Sequence, residues 1–206
     1  MFMPWVGKNY LNGFRGKKFL ILGESYYCED YSICGACYPS KKNDCNNYTI
    51  DIITRQLNGD EKVSSFYQKL SKLFINNIND TNLLNDFWNS IAYYNYIQSS
   101  VGDGARQRPT KEMWNDAYKP FTEVMSELNP DFLLILGSDL WEHMPGEAGG
   151  DDWPLCKILE IEGSEEKERV YYFGQKRKTK VMYIYHPSSS TFSYRFAKFI
   201  NAALEL

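Results

Sequence analysis

The chain lacks a basic excess, a flexible linker and an internal repeat, and its first fourteen residues are not a continuous apolar run. Its 23 Lys and Arg against 26 Asp and Glu give a formal net charge of −3. That argues against a protein that coats nucleic acid through an overall basic surface, and leaves room for a local basic groove. No Gly/Ser/Pro-rich tract divides the 206 residues. The expectation is therefore a single domain over residues 1–206, long enough to bury one core. The opening MFMPWVGKNYLNGF carries Pro4, Gly7, Asn9 and Asn12, where a secretory leader or membrane span needs continuous apolar residues. The corresponding expectation is a cytoplasmic protein with no membrane partner.

Aromatic residues are plentiful, with 16 Tyr, 12 Phe and 5 Trp, and such side chains can fill a core or stack on bases. Cysteine is sparse and uneven. Cys28, Cys34, Cys37 and Cys45 fall in one loop-like insertion at about 28–47, whereas Cys156 stands alone. In a cytosolic chain these are thiols or metal ligands rather than disulfides. The spacing C-x5-C-x2-C-x7-C offers four soft ligands from one loop, and a central C-x2-C is the usual pincer of zinc and iron–sulfur sites. Zinc is the simpler choice, an iron–sulfur cluster the second; the alternative is four reduced thiols. Nothing calls for an organic cofactor.

Along the chain, KFLILG (18–23) reads as a buried strand closed by a tight turn, with GESYY after it. Helical spacing follows at Ile50, Ile53 and Leu57, and again at Phe66, Leu70, Leu73 and Phe74. Asp80 or Thr81 caps a third helix through Trp88, and IAYYNYIQ (91–98) has strand composition interrupted by Asn95. Thr110 caps a helix carrying Trp114, Tyr118, Phe121, Met125 and Leu128, in which Pro120 should kink or break the element. DFLLILG (131–137) repeats the organisation of the first strand, and Ser138 starts a short helix. Strands are expected at 170–173 and 180–185, with EGSEEKERV ahead of them as a solvated turn. The last helix carries Phe192, Phe196, Phe199, Ile200 and Leu204.

Apolar strands alternating with amphipathic helices imply an α/β fold, a three-layer sandwich with a central, mainly parallel four-stranded sheet flanked by helices. Four strand ends then meet at one edge: Gly23 to Tyr27, Asn95 to Gln98, Gly137 to Asp139, and His186 to Ser190. Ligands of open α/β sheets bind at that edge, which places His186 and Ser188 for chemistry. The plainer reading of HPSSSTFSYRF is a Pro-stopped strand followed by a helix cap.

In their order, ILGESYY, IAYYNYIQ and YIYHPSS resemble the motifs of the uracil-DNA glycosylase superfamily, with ARQRPTKEMW and NPDFLLILGSDLW as further matches between them. The resemblance implies roles residue by residue. Gly23 matches the motif's first Gly, Glu24 the Gln or Glu after it, and Ser25 the catalytic position, which is Asp or Asn in some branches and a small residue in others. Tyr27 corresponds to the Tyr that narrows the pocket, Tyr26 replaces the usual Pro, Asn95 matches the Asn that reads the base edge, and His186 the His that bonds the base oxygen. Ser188 supports the turn that aims His186. Fold alone does not fix the reaction.

The chemistry suits these residue types. Breaking an N-glycosidic bond leaves positive charge on the sugar and negative charge on the base. His186 would donate to the developing oxyanion, and Glu24 would orient water and offset the sugar's charge. Asn95 carries a donor and an acceptor on one amide, suited to a pyrimidine's adjacent NH and carbonyl. A base in a duplex must be flipped out to enter such a pocket. The expected partner is DNA containing a modified or deaminated base, and Arg106, Arg108 and Lys111 could contact its phosphates. Each assignment has a structural alternative: Glu24 as a turn cap or an Arg partner, Asn95 as a partner for backbone, Tyr26 and Tyr27 as wall, and the basic residues as ordinary surface. The rival functions are a non-catalytic binder of a nucleotide or modified base and a hydrolase of free nucleosides. For the cysteine loop, chain purified without added metal is expected to carry about one zinc per molecule by elemental analysis. Less than a trace of zinc or iron would remove the metal from the loop.

Overall fold

The runs FLILG and FLLIL lie side by side at the centre of the sheet. In this computed structural model the described residues are 2–28, 43–60, 62–104, 106–145, 155–160, 167–173 and 177–205. Seven strands form one mixed sheet: β1 (Trp5–Val6), β2 (Phe19–Gly23), β3 (Ala92–Asn95), β4 (Phe132–Leu136), β5 (Leu155–Glu160), β6 (Lys167–Phe173) and β7 (Arg177–Ile184), in the order β1-β3-β2-β4-β7-β6-β5. The four strands β3, β2, β4 and β7 are mutually parallel. β1, β6 and β5 extend them antiparallel.

The helices are α1 (Tyr48–Asn58), α2 (Ser65–Ser71), α3 (Thr81–Ser90), α4 (Lys111–Leu128), α5 (Ser138–His143) and α6 (Phe196–Glu205). Alternation along the parallel strands sends side chains to two faces. Leu20, Leu22, Leu133, Ile135 and Val181 meet Met113, Ala117 and Phe121 of α4 on one face. Phe19, Ile21, Phe132, Leu134 and Ile184 meet Ile53, Leu70, Phe87, Trp88 and Ile200 of α1, α2, α3 and α6 on the other. A sheet buried on both faces needs apolar residues at every position, and all five residues of β2 and of β4 are buried. Among the described residues no helix is long and apolar enough to cross a membrane.

The α/β class and the parallel core agree with the sequence reading, and four details depart from it. Among the described residues the sheet has seven strands rather than four: β1 is two residues long, too short to announce itself, and β5 and β6 carry charged residues that mask their pattern. Lys167 to Arg169, read as part of a solvated turn, belong to β6. Of the kink or break expected at Pro120, a break does not occur, since α4 runs through it; its buried stripe from Met113 to Met125 outweighs the one backbone bond that proline forfeits. The last helix begins at Phe196, and Phe192 lies before it, partly buried against the α6 face.

β3 ends at Asn95, yet the chain keeps bonding beyond it. Tyr96 and Ile97 donate N–H groups to the carbonyls of Gly23 and Glu24 at 2.9 Å each, and Val101 donates to Tyr26 at 3.0 Å. The segment after Asn95 is thereby laced to the segment after Gly23. Leu134, fully buried in the middle of β4, tests the core directly: Leu134→Ala should lower the unfolding free energy by about 2–5 kcal/mol, read as a lower urea midpoint.

Candidate functional site

A cleft of about 730 Å³ opens at the carboxyl edge of the four parallel strands. Each contributes its end: Gly23 to Tyr27 after β2, Asn95 at the end of β3, Gly137 to Asp139 after β4, and His186 with Ser188 after β7. Phe66 and Tyr67 of α2 and Tyr48 and Ile52 of α1 close the side toward the helices.

The floor is built by three residues on two neighbouring strands. Gly23 pairs with Asn95 in register, and Tyr93 projects two residues earlier on the same face as Asn95. Asn95 is 2% exposed, and its Oδ1 accepts a hydrogen bond of 3.1 Å from the Tyr93 hydroxyl. A Cβ at residue 23 would collide with both Asn95 Oδ1 and the Tyr93 oxygen. Glycine at 23 is therefore what lets the amide lie flat on the floor.

Glu24 forms a wall. Its Oε2 accepts a 2.8 Å hydrogen bond from Arg108 Nη2, and its Oε1 accepts from Ser25 Oγ at 3.4 Å. The same Arg108 nitrogen bridges to Asp139 Oδ2 after β4. The Glu24 side chain is 14% exposed against 53% for Arg108, so the carboxylate is held inside by a guanidinium that faces water. Burial pushes the Glu24 carboxyl above the usual range, more than Arg108 pulls it back, and Asp139 adds to the rise. The external ion pair is the lesser force.

His186 lines the same cleft. The Ser188 backbone N–H donates to its Nδ1 at 3.2 Å. A backbone N–H can only donate, so in the neutral ring the proton sits on Nε2. Burial and then the Arg108 charge hold its pKa below the ordinary value, which keeps the ring neutral near pH 7. The ring lies 5.2 Å from that of Phe66 at an angle of 31°. From α2, Lys69 Nζ donates to the Pro187 carbonyl at 3.0 Å, fastening the turn that carries the histidine.

The other anticipated residues divide by role. Tyr26 touches the cleft but is 9% exposed, donates its hydroxyl to Thr49 Oγ1 at 2.5 Å, and packs edge-on to Phe2 and Tyr48; it braces the wall. Tyr27 is 42% exposed at the rim, where its hydroxyl accepts from the Arg106 N–H at 3.4 Å. Arg106 and Arg108 line the cleft, whereas Lys111 is exposed at the start of α4 and outside the lining. Cys28 and Cys45 are half-buried; Cys34 and Cys37 lie outside the described residues. Among the described residues no three metal-ligating side chains converge.

Sequence reasoning placed Gly137 to Asp139 at the cleft edge without giving Asp139 a role, and missed Phe66 and Tyr93 as cleft residues. Phe66 has the spacing of a core residue, and nothing in its pattern separates the two uses. Asp139 had a signal: LGSD after β4 repeats the apolar-strand-then-Gly ending of LGES after β2.

The arrangement predicts a coupled titration. Arg108→Gln should raise the midpoint of Glu24 further and let that of His186 rise toward its ordinary value, both followed by side-chain NMR. An unmoved Glu24 midpoint would show that Arg108 does not govern its charge. No protein-family model matches the chain, and no curated protein matches it at a significant level.

Proposed function

We propose that the chain is a uracil-DNA glycosylase-like hydrolase that cleaves the N-glycosidic bond of a flipped uracil or related damaged base in DNA. The observation that carries this reading is a neutral His186, with its proton on Nε2, and a half-buried Glu24 lining one cleft. Such a reaction needs a donor where the base oxygen becomes negative and a carboxylate where the sugar becomes positive. The bond from C1′ to the base nitrogen breaks with its electron pair leaving on the base. Water adds to C1′, and its displaced proton ends on solvent or on the base.

Phe66 offers a face on which the base stacks, beside Asn95, which reads its edge. Arg106 and Arg108 meet the phosphates at the rim, with Lys111 further out. Ser25 supplies no charge and serves to hold Glu24 through its hydroxyl. In the same reading zinc on Cys28, Cys34, Cys37 and Cys45 braces the loop next to Tyr27, and the protein works in the cytoplasm as a three-layer α/β domain.

A second reading, a non-catalytic binder of a nucleotide or modified base, draws on a specific observation: Arg108 already occupies one oxygen of Glu24. That pairing competes with water activation.

Single-turnover release of uracil from single- and double-stranded DNA separates the two. Glu24→Gln should slow release by about 10²–10⁴-fold, and His186→Asn by about 10²–10³-fold. The working form has Glu24 ionised and His186 neutral. Activity should therefore rise with pH and be lost as pH falls through a Glu24 midpoint above the usual carboxylate range. No release above background, from DNA or from a free nucleoside, would end the enzyme reading. Retained binding of the uracil-containing strand would then favour the binder.

A further inference from the structure

Arg108 joins a half-buried carboxylate to an exposed one. Its side chain is 53% exposed and that of Asp139 57%, against 14% for Glu24. Both carboxylates bond the same Nη2, so neither uses the Nε and Nη1 N–H groups of the planar fork. An ion pair with so exposed a partner is screened by water and weak enough to be exchanged. A phosphate ester offers a guanidinium two oxygens for parallel N–H bonds, where Glu24 and Asp139 each take one bond through Nη2.

The loop that carries Arg108 is held in place, which makes such an exchange a movement of the side chain. The Gly102 carbonyl accepts from the Cys28 N–H at 2.8 Å, Gln107 Nε2 donates to Asp103 Oδ1 at 2.8 Å, and the Thr110 side chain caps α4. Arg106 has a φ of +72°, which a residue with a Cβ adopts at a cost, and its N–H reaches the Tyr27 hydroxyl at 3.4 Å. Arg106 and Arg108 both line the cleft, two cations for an anion arriving at the rim. While Arg108 sits on Oε2, its charge lowers the basicity that burial and Asp139 give Glu24. A general base works best when its pKa lies near the working pH. The seated guanidinium therefore idles Glu24, and its departure restores the carboxylate.

We propose that Arg108 is a specificity-determining guard: seated on Glu24 it holds the site idle, and a phosphate ester on the ligand's sugar draws it off, so that the cleft acts on nucleotide units and spares free nucleosides. The inference rests on the hydrolase reading above and concerns when the carboxylate is released, whichever base is read. Asp139, exposed beside Nη2, keeps the guanidinium at the rim as it turns.

The first test is single-turnover uracil release from deoxyuridine, from deoxyuridine 5′-monophosphate and from a trinucleotide with deoxyuridine at its centre. The wild-type chain should process the trinucleotide about 10²-fold faster than deoxyuridine. Arg108→Gln should bring the two within about tenfold, by raising the rate on deoxyuridine while the trinucleotide binds more weakly. A chain whose fold is merely damaged gains on no substrate. A monophosphate that matches the trinucleotide assigns the trigger to a single nucleotide, and one that matches deoxyuridine assigns it to a strand. Equal wild-type rates on all three, or an Arg108→Gln chain that slows on all alike, overturn the guard and leave the hydrolase reading standing.

The second test is independent of turnover. A trinucleotide with a baseless tetrahydrofuran unit at its centre, at millimolar concentration, should raise the Glu24 midpoint followed by side-chain NMR. The sign follows from the loss of a cation that lowers it. The same sugar without phosphates should leave the midpoint in place, and in Arg108→Gln the trinucleotide should move it far less. A midpoint that stays put in the wild-type chain, or moves equally in Arg108→Gln, overturns the proposal even where uracil is released. Release from none of the three substrates ends the hydrolase reading, and the midpoint then decides the guard alone.

Discussion

β2 hydrogen-bonds on both sides, to β3 and to β4, and runs parallel to each. Parallel pairing in a fixed register makes neighbouring strands stop together, so the residues that follow them emerge at one edge. With Leu22 opposite both Tyr94 and Ile135, Glu24 emerges between Asn95 on one flank and Asp139 on the other. A slip of one residue would turn Tyr93 and Asn95 to the opposite face of the sheet. Full burial of both faces penalises such a slip at every position of β2 and β4. The geometry of the cleft is thus inherited from the packing of the core.

Charge within the cleft follows the same logic of position. Glu24 is half-buried, and the backbone after Gly23 that carries it is pinned by Tyr96 and Ile97, leaving its carboxylate reduced access to water. Arg108 reaches in from the loop before α4 and joins two strand ends through one nitrogen. The guanidinium therefore ties the residues that follow β2 and β4 to each other and sets a positive charge beside their two carboxylates. His186 feels that positive charge from across the opening, and the lowering it causes adds to the effect of burial. Arg108 thus acts on both groups, lowering the pKa of Glu24 and of His186.

The parallel core was legible because KFLILG, DFLLILG and VMYIY are continuous apolar runs, and two-sided burial leaves no other way to accommodate them. The strand ends were legible as a set for the same reason. β5 and β6 were not, since residues such as Lys157, Lys167 and Glu168 break up the apolar pattern that marks the central strands. Tyr26 in sequence suits either a wall or a specificity element; its bond to Thr49 shows a bracing role. Phe66 was assigned to a helix face, and that face supplies both core and cleft. Periodicity finds the face of a helix but not where along it the neighbouring sheet ends. Tyr93 and Gly23 were visible as a strand aromatic and a strand-ending glycine, while their joint hold on Asn95 depends on cross-strand register, which the one-dimensional pattern does not contain.

α2 holds two parts of the cleft at once. Through Phe66 it lays a ring beside His186, and through Lys69 it grips the carbonyl of Pro187 next door. The helix itself is seven residues long and begins on the Ser64 cap, a short element with modest stability of its own. Its fraying would release the stacking surface and the histidine turn in the same event, so the two behave as one cooperative unit. Slow amide exchange in α2 is then a gauge of how much of the time the whole pocket is assembled.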